Sequence, residues 1–295
     1  MKSYAIGIDL GGTNIKALAV TVKAEILFQA NVPFDAGERM DWARSIREIV
    51  EQAQQKSGGA ASCIGLSAPG LAARDGRSIA YMPGRLHGLE GFNWTEFLHS
   101  PKPVRVLNDA HAALFGEAWI GAARGFQNVI MLTLGTGVGG AAMVEGKLLR
   151  GAIGRAGHLG HTCLDPNGAR DVCGTPGSLE FAIGNYSLKD RSAGRFQTTQ
   201  ELISAHAAGD ARASAIWLKS VRILACAICS FTNILDPEAV IIGGGIARAG
   251  KALFDPLQEY LDPIEWRPGG NRVKILPAML GEFAGAYGAA HNAFS

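Results

Sequence analysis

The alternation of apolar and polar residues predicts that the chain begins with a sheet. An apolar run at residues 4–10 leads into a glycine turn, and residues 15–22 alternate as expected for a returning strand. Residues 26–33 can add a third strand, apolar residues recur at helical spacing over 39–56, and 63–66 is a short strand. The first part of the chain therefore has the order β-β-β-α-β.

The same pattern begins again after Pro103. A strand at 104–107 precedes an alanine-rich helix at 110–121, and an apolar run at 129–134 leads through a second glycine turn into a strand at 141–144. Two glycine hairpins of similar design, one in each half, indicate a duplicated lobe. Further along we expect a long loop at 151–177, helices at 178–184, 198–207 and 211–235, a strand at 238–242 and a closing helix at 283–294.

Length and composition support two folded lobes and exclude several classes of protein. With 295 residues, of which 47% are hydrophobic and 18% charged, the chain is globular and exceeds the usual size of one core. A net charge of +2 without a basic run argues against a nucleic-acid partner. The first residues do not resemble a signal peptide, and the most apolar stretch, 223–235, is too short for a bilayer. We therefore expect a cytoplasmic protein without a membrane partner.

Asp9 ends the first apolar run and is followed by Gly11, Gly12 and Thr13. A carboxylate at a strand end can hold Mg²⁺ through water, and glycines allow backbone N–H groups to approach phosphate oxygens. A plain hairpin turn with a solvated Asp explains this motif equally well on its own.

The second glycine turn formally matches the dinucleotide fingerprint of dehydrogenases. Gly135, Thr136 and Gly137 begin a G-x-G-x-x-G run that ends at Gly140. The fingerprint requires a helix after the turn, whereas here a returning strand is expected. A phosphate-binding hairpin is therefore the better interpretation.

A third glycine turn, Gly243, Gly244 and Gly245, follows the strand at 238–242. Bare backbone at such a turn can pack against a nucleotide, although a simple strand-to-helix connection is the alternative. Three strand-linked glycine turns spread over both halves are unexpected as unrelated loops. The set predicts a nucleotide site.

Taken in order along the chain, these motifs resemble those of the ROK family of sugar kinases and repressors. The resemblance covers nearly the whole chain, and the ordered set of motifs is specific. It rests on Asp9-Leu10-Gly11-Gly12-Thr13, Leu107-Asn108-Asp109-Ala110, Leu134 through Gly139, Gly160-His161 and Asn233 through Gly245.

The resemblance implies an α/β fold of the two-lobed actin-like ATPase (ribonuclease H-like) type, in which each lobe is a mixed sheet flanked by helices. It implies an N-terminal lobe at 1–109 and 281–295, a C-terminal lobe at 110–280, and ATP with Mg²⁺ in the cleft beside a sugar. A homodimer is also expected.

Residue roles follow from the same resemblance. Asp109 is implied as the general base that takes the proton of the accepting sugar hydroxyl, while a helix N-cap pair is the alternative interpretation of Asn108 and Asp109. Asp9 is implied as the magnesium residue, acting through water. The implied sugar residues are Gly70, Asn108, His158, His161 and Glu180, and the implied ATP residues are Asp9, Gly11, Gly12, Thr13, Gly135, Thr136, Gly137, Gly243, Gly244 and Gly245.

The chain departs from the family at the sugar site. Family members usually carry Glu three residues before the loop histidine His161, where this chain has His158. A carboxylate only accepts hydrogen bonds, whereas a neutral imidazole offers one donor and one acceptor, so we expect a different sugar preference. The alternative is that His158 caps the loop or pairs with His161 and never meets substrate.

The chain also departs from the family at its zinc site. Relatives usually bind zinc through the loop histidine and three cysteines, and only His161 and Cys173 of those four ligands remain, because Asp171 and Ser178 replace two thiols. Structural zinc generally needs four closed ligands, so we expect folding without zinc. An irregular site that also includes Cys163 is the alternative.

These observations predict an ATP-dependent kinase that phosphorylates a hexose-type sugar. A sugar-responsive repressor would need a DNA-binding helical domain, and neither a helix-turn-helix segment nor a basic patch is found in the sequence. A non-catalytic sugar or nucleotide binder is the remaining alternative, motivated by His158 and the incomplete cysteine set. Asp9, Asp109 and the three glycine turns argue for catalysis.

Overall fold

The computed structural model describes residues 3–34, 40–84 and 86–295, so Arg39, the expected start of the first helix, lies outside the described residues. In chain order the strands are β1 (Tyr4–Leu10), β2 (Asn14–Thr21), β3 (Ile26–Pro33), β4 (Cys63–Ala68), β5 (Leu71–Ala72), β6 (Ile79–Tyr81), β7 (Arg105–Asn108), β8 (Val129–Leu134), β9 (Val138–Val144), β10 (Lys147–Leu148), β11 (Ala239–Gly243) and β12 (Lys274–Pro277). The α-helices are α1 (Asp41–Lys56), α2 (Trp94–Phe97), α3 (Asp109–Ile120), α4 (Leu179–Ile183), α5 (Leu188–Arg191), α6 (Thr199–Ala207), α7 (Ala211–Leu235), α8 (Lys251–Leu261) and α9 (Ala284–Phe294).

The chain divides into two compact units. The first comprises Met1–Gly125, Arg150–Ala156 and Met279–Ser295, and the second comprises Phe126–Leu149 and Gly157–Ala278. Each unit contains a five-stranded mixed sheet with helices packed on it, as the sequence predicts.

The sheet of the first unit has the order β3-β2-β1-β4-β7. Strands β1 to β3 pair antiparallel, whereas β4 pairs parallel with both β1 and β7. The register places Asp9 opposite Ser67 and Ala68 opposite Asn108. The carboxyl ends of three parallel strands therefore bring these polar residues to one edge of the sheet, which is where ligands usually bind in α/β folds.

The sheet of the second unit repeats this design in the order β10-β9-β8-β11-β12. Here β8 pairs antiparallel with β9 and parallel with β11. Thr133 lies opposite Gly243, so the glycine turns at 135–137 and 243–245 leave the sheet at the same edge. The expected repetition of a glycine hairpin in each half is present.

Helix α3 lies in the first unit, although the sequence-based boundary places residues 110–121 in the second lobe. Small residues allow α3 to pack closely against α9. A Cβ added at Gly288 would collide with the Ala112 carbonyl oxygen, and one added at Gly116 would lie 2.5 Å from that of Ala284. This backbone-to-backbone packing is the physical reason for the different boundary.

A buried carboxylate strengthens the same connection. Glu117 of α3 is fully buried, and its Oε1 accepts hydrogen bonds from the N–H groups of Met279 at 2.9 Å and Leu280 at 2.8 Å. Its Oε2 accepts another from Ala122 at 2.7 Å. Because bonds to a charged acceptor are stronger than neutral ones, Glu117 fixes the segment that leads into α9.

Helix α7 is longer than the apolar stretch noted in the sequence, and its 25 residues are long and apolar enough to cross a membrane by composition. One face of the helix is packed in the core of the second unit, where Trp217, Val221, Leu224 and Phe231 are buried. This burial is typical of the core helix of a globular protein.

The interface of α3 and α9 supports a stability prediction. Gly288→Ala should lower the free energy of unfolding by about 1–3 kcal/mol, because overpacking a tight interface forces backbone shifts. Gly245→Ala is the matched control, because Gly245 has φ −62° and nothing lies within 4 Å of an added Cβ. Urea unfolding of both variants tests this, and equal stabilities would contradict the close packing.

Candidate functional site

Asp9 lies at the carboxyl end of β1 and is held there by two neighbours. The hydroxyl of Ser67 donates a 2.7 Å hydrogen bond to Asp9 Oδ1. Gly285 of α9 lies against the same carboxylate, since an added Cβ would be 2.6 Å from its Cγ. The pKa of Asp9 is raised from its ordinary value of 3.8 to about 6, chiefly by burial; the hydrogen bond from Ser67 and the charge of Lys16 lower it, and the nearby Asp109 raises it slightly.

The turn after β1 presents backbone to solvent. Gly12 and Thr13 are exposed, and the turn is closed by a 3.0 Å hydrogen bond from the Gly11 N–H to the Asn14 carbonyl oxygen. Exposed N–H groups beside a desolvated carboxylate are a suitable environment for a phosphate with its metal ion.

Asn108 is the N-cap of α3, as the alternative interpretation of the sequence has it. Its Oδ1 accepts hydrogen bonds from the N–H groups of Ala110 at 3.0 Å and His111 at 3.3 Å, and its Nδ2 donates to the Gly70 carbonyl oxygen at 2.9 Å. Three bonds within the protein leave one amide N–H for a ligand. Gly70 has φ +98° and an added Cβ would lie 2.5 Å from the Tyr81 carbonyl oxygen, so a side chain is excluded there.

Asp109 follows as the first residue of α3 and is exposed. Its backbone position is fixed by the cap at Asn108, and its Oδ1 accepts a 2.8 Å hydrogen bond from the Ala110 N–H. The first unit thus brings together the predicted residues Asp9, Asn108 and Asp109 at one sheet edge, with Gly70 bonded to Asn108.

In the second unit, the turn at 135–137 is followed by a strand and not by a helix. Strand β9 returns antiparallel to β8, which excludes the dehydrogenase fingerprint at this turn. The carbonyl oxygens of Gly135 and Thr136 accept hydrogen bonds from the N–H groups of Asn185 and Tyr186, both at 3.0 Å. The side chain of Thr136 is exposed.

Glu180 contacts this turn directly. Its Oε2 accepts a 2.9 Å hydrogen bond from the Val138 N–H, and a Cβ added at Gly137 would collide with the same carboxylate oxygen. The lack of a side chain at Gly137 therefore leaves room for the Glu180 carboxylate and keeps the turn open. The structure joins a predicted sugar residue to a predicted phosphate turn, a connection that their 43-residue separation in sequence conceals.

The third glycine turn lies against the second. Gly244 has φ +87° and packs on the backbone of Leu134, where an added Cβ would collide with the carbonyl oxygen. Gly245 is exposed with nothing within 4 Å of an added Cβ. The two turns therefore form one glycine-lined edge of the second sheet.

The loop histidines lie beside β9. Gly160 is pressed against the backbone of Val138, so that the segment Leu159–His161 forms a short 3₁₀ turn on the strand. His158 and His161 are both half-buried at the two ends of this turn. His161 Nδ1 lies 2.8 Å from Asp171 Oδ2, and the ligand atoms of His161, Asp171 and Cys173 lie within 4.8 Å of one another.

Sequence reasoning missed a small cavity in the first unit. It has a volume of about 200 Å³ and is lined by residues that include Arg74, Leu107, His111 and Arg150. His111 Nε2 lies 3.1 Å from the Ala156 carbonyl oxygen, which connects α3 with the segment 150–156. No local motif marks these residues, because folding alone brings them together.

In the sequence, Ser67 was likewise recognisable only as part of a strand end, without its hydrogen bond to Asp9.

Comparisons with known proteins agree with this arrangement. The model of the ROK family matches residues 5–294. A glucokinase of Thermotoga maritima is 34% identical over a 309-residue alignment that covers 98% of this chain and 96% of that protein. An N-acetylmannosamine kinase of Escherichia fergusonii is 29% identical, with 97% of this chain and 96% of that protein covered.

Solved structures show the same fold. A ROK hexokinase from Thermus thermophilus has a TM-score of 0.88 and 32% identity, with 99% of this chain and 98% of that chain covered. A ROK family glucokinase from Streptomyces griseus, solved with glucose and AMPPNP, has a TM-score of 0.81 and 28% identity, with 99% of both chains covered. These likenesses confirm the predicted fold class, an α/β fold of the actin-like ATPase type.

The raised pKa of Asp9 supports a prediction about stability and pH. Between pH 3.8 and about pH 6 the Asp9 carboxyl is protonated in the folded chain and ionised in the unfolded chain. The folded state is therefore most stable, as far as this group is concerned, below pH 3.8, and this contribution to the free energy of unfolding is lost as pH rises through about 6. Asp9→Asn should therefore raise the unfolding temperature of the ligand-free protein more at pH 8 than at pH 5. Thermal unfolding at both pH values tests this. An equal effect at the two pH values would contradict a raised pKa.

Proposed function

Because this chain belongs to the ROK family and is an ATP-dependent sugar kinase, we propose that it phosphorylates a hydroxyl of a hexose or hexose derivative, with glucose as the first candidate and Asp109 as general base. The observation that carries the proposal is the position of Asp109. It is an exposed carboxylate at the same sheet edge as the half-buried Asp9, and its backbone is fixed by the cap of α3. A general base needs this combination of access and fixed geometry.

The proposed reaction begins with Asp109 accepting the proton of the sugar hydroxyl as the hydroxyl oxygen attacks the γ-phosphorus of ATP. The bond between that phosphorus and the bridging oxygen breaks, and ADP leaves. Positioning of the two substrates and stabilisation of charge provide most of the rate of such a transfer, so the fixed backbone of the base is as important as its chemistry.

ATP is assigned to the glycine turns. We assign the phosphates to the exposed turn of Gly11, Gly12 and Thr13 and to the turn at 135–137, and the adenosine to 243–245. Mg²⁺ fits the half-buried Asp9 carboxylate, because Oδ1 accepts the hydrogen bond from Ser67 while the other oxygen, Oδ2, can hold the hydrated ion. The ion, when bound, neutralises the negative charge of the phosphates.

The sugar is assigned to Gly70, Asn108, His158, His161 and Glu180. Relatives named for glucose and for N-acetylmannosamine support a hexose or hexose derivative as substrate. Glu180 is the strongest of these candidates, because its buried carboxylate is fixed by the Val138 N–H and can accept hydrogen bonds from sugar hydroxyls through its remaining lone pairs.

Several expectations from the sequence remain predictions. They are the homodimer, the cytoplasmic location, and the absence of nucleic-acid and membrane partners. The regulator structure that shares the fold, a homologue of the Escherichia coli MLC protein, is 22% identical and supports the fold alone.

The role of Asp109 leads to a kinetic prediction. Asp109→Asn should lower kcat by about 10²–10⁴-fold while ATP affinity changes little, because a positioned base is lost and the nucleotide groups remain. Steady-state kinetics together with calorimetric binding of AMPPNP test this. Asp75→Asn, which changes an exposed acid in the same unit, is the control. Near-normal turnover of the Asp109 variant would contradict the assignment.

The role of His158 leads to a prediction about substrate choice. His158→Glu should shift the relative kcat/KM values toward glucose and leave the KM for ATP unchanged, because a carboxylate can accept bonds from two adjacent hydroxyls. A panel of hexoses and N-acetylhexosamines measures this, with the exposed His99→Glu as control. If the sugar profile does not change, His158 lies outside the sugar pocket.

A further inference from the structure

The family resemblance implies a zinc site in the loop 157–178, and the structure permits a test of whether the residues fit this ion. Of the four family positions, His161 and Cys173 remain, and Asp171 and Ser178 occupy the other two. A closed structural zinc site needs four ligands, which supply lone pairs to a cation in tetrahedral geometry. The contacts of Asp171 and Ser178 decide whether such a site can form.

The carboxylate of Asp171 is saturated with hydrogen-bond donors. Its Oδ1 accepts bonds from the N–H groups of Cys173 and Thr175, both at 2.9 Å, and its Oδ2 accepts one from His161 Nδ1 at 2.8 Å. Burial raises the pKa of Asp171, but these bonds, helped by the nearby hydroxyl of Ser178, lower it below its ordinary value. The Asp171 side chain has 0% exposure, so no water competes for these bonds.

Ser178 is not a metal ligand in this arrangement. Its oxygen accepts a 3.1 Å hydrogen bond from the Phe181 N–H as the N-cap of α4, and a neutral hydroxyl held in this way cannot replace a thiolate. Among the described residues, the ligand atoms that lie within 4.8 Å of one another are those of His161, Asp171 and Cys173, so Cys163 does not complete the set. The residues of this loop therefore do not fit a closed zinc site.

We propose that the Asp171 carboxylate replaces the zinc ion as the cross-link of this loop. The polarity of the centre is inverted: zinc is a cation that gathers lone pairs, whereas the carboxylate is an anion that gathers N–H and O–H groups. The positions around it are accordingly donors, namely an imidazole N–H and two backbone N–H groups. Charge-assisted bonds of this kind are about twice as strong as neutral ones.

The cross-link joins segments that carry sugar-site candidates, and this part of the proposal rests on the proposed function. It holds His161 directly, and it lies beside Ser178, which caps the helix that carries Glu180. Glu180 in turn bonds to the Val138 N–H and lies against Gly137 of the turn at 135–137. Asp171 is thus a positioning residue that acts directly on the sugar-site candidate His161 and only indirectly, through α4 and Glu180, on that turn.

The first experiment measures the metal requirement of the wild-type chain. After purification and treatment with a zinc chelator, elemental analysis should find far less than one zinc per chain. The unfolding temperature should be the same with chelator and with added zinc chloride. Stoichiometric zinc, or an unfolding temperature that falls on chelation, would overturn the proposal. Neither readout depends on kinase activity, so this result stands apart from the proposed function.

The second experiment rebuilds the metal centre. The double variant D171C/S178C supplies two thiols beside Cys173 and His161, and it should acquire about one zinc per chain. Its unfolding temperature should then fall on chelation, unlike that of the wild type. If wild-type protein binds zinc and the soluble double variant does not gain the ion, the proposed replacement of zinc by the Asp171 carboxylate is wrong.

The third experiment removes the anion from the wild-type background. Asp171→Asn keeps the shape but places an NH₂ group against buried donors, so the unfolding temperature should fall by about 5 °C. The KM for the sugar should rise at least about 5-fold, as loss of about 1 kcal/mol of sugar-side positioning implies. The KM for ATP should change less, because Asp171 reaches the turn at 135–137 only indirectly, through α4 and Glu180. Asp165→Asn, an exposed acid in the same loop, is the control. Equal behaviour of the two variants would refute the proposal. A stability loss with unchanged sugar KM would refute only the positioning clause.

Discussion

The parallel pairing of β1, β4 and β7 is the constraint on which the functional assignments depend. Because three strands run in the same direction, their carboxyl ends bring Asp9, Ser67 and Asn108 to one sheet edge. The first turn of α3 then places Asp109 beside them. The second sheet uses the same principle with β8 and β11, whose ends present two glycine turns. A one-residue slip in either register would turn these residues to the opposite face.

Much of the fold could be predicted from the sequence, because strong period-two runs and glycine turns mark β1, β2, β8 and β9. The elements that escaped prediction have weak local signals. The strands β5 and β12 are two and four residues long, and α8 carries Pro256 in its interior, which interrupts a helical pattern. Local periodicity determined these elements poorly because tertiary contacts stabilise them.

The sequence predicted that Asp9 and Asp109 lie at strand ends, because residue type and local pattern coincide there, whereas it did not predict contacts that depend on long-range packing. The assignment of α3 to the first unit depends on contacts of Gly116 with Ala284 and of Glu117 with Met279, which lie more than 150 residues away. The double use of Gly137, which leaves room for Glu180, is likewise invisible in a motif. The loop at Asp171 shows the same lesson, since a lost cysteine indicates a missing zinc ligand but not the donors that surround its replacement.

The central claim is that this arrangement transfers a phosphoryl group from ATP to a sugar hydroxyl. The most direct measurement is ³¹P nuclear magnetic resonance of the wild-type protein with ATP, Mg²⁺ and a hexose, with glucose and N-acetylmannosamine examined separately. We expect that one sugar phosphate forms for each ADP with at least one of these sugars, and that inorganic phosphate does not accumulate. Formation of ADP and inorganic phosphate at a rate independent of sugar, or no turnover with any hexose, would contradict it.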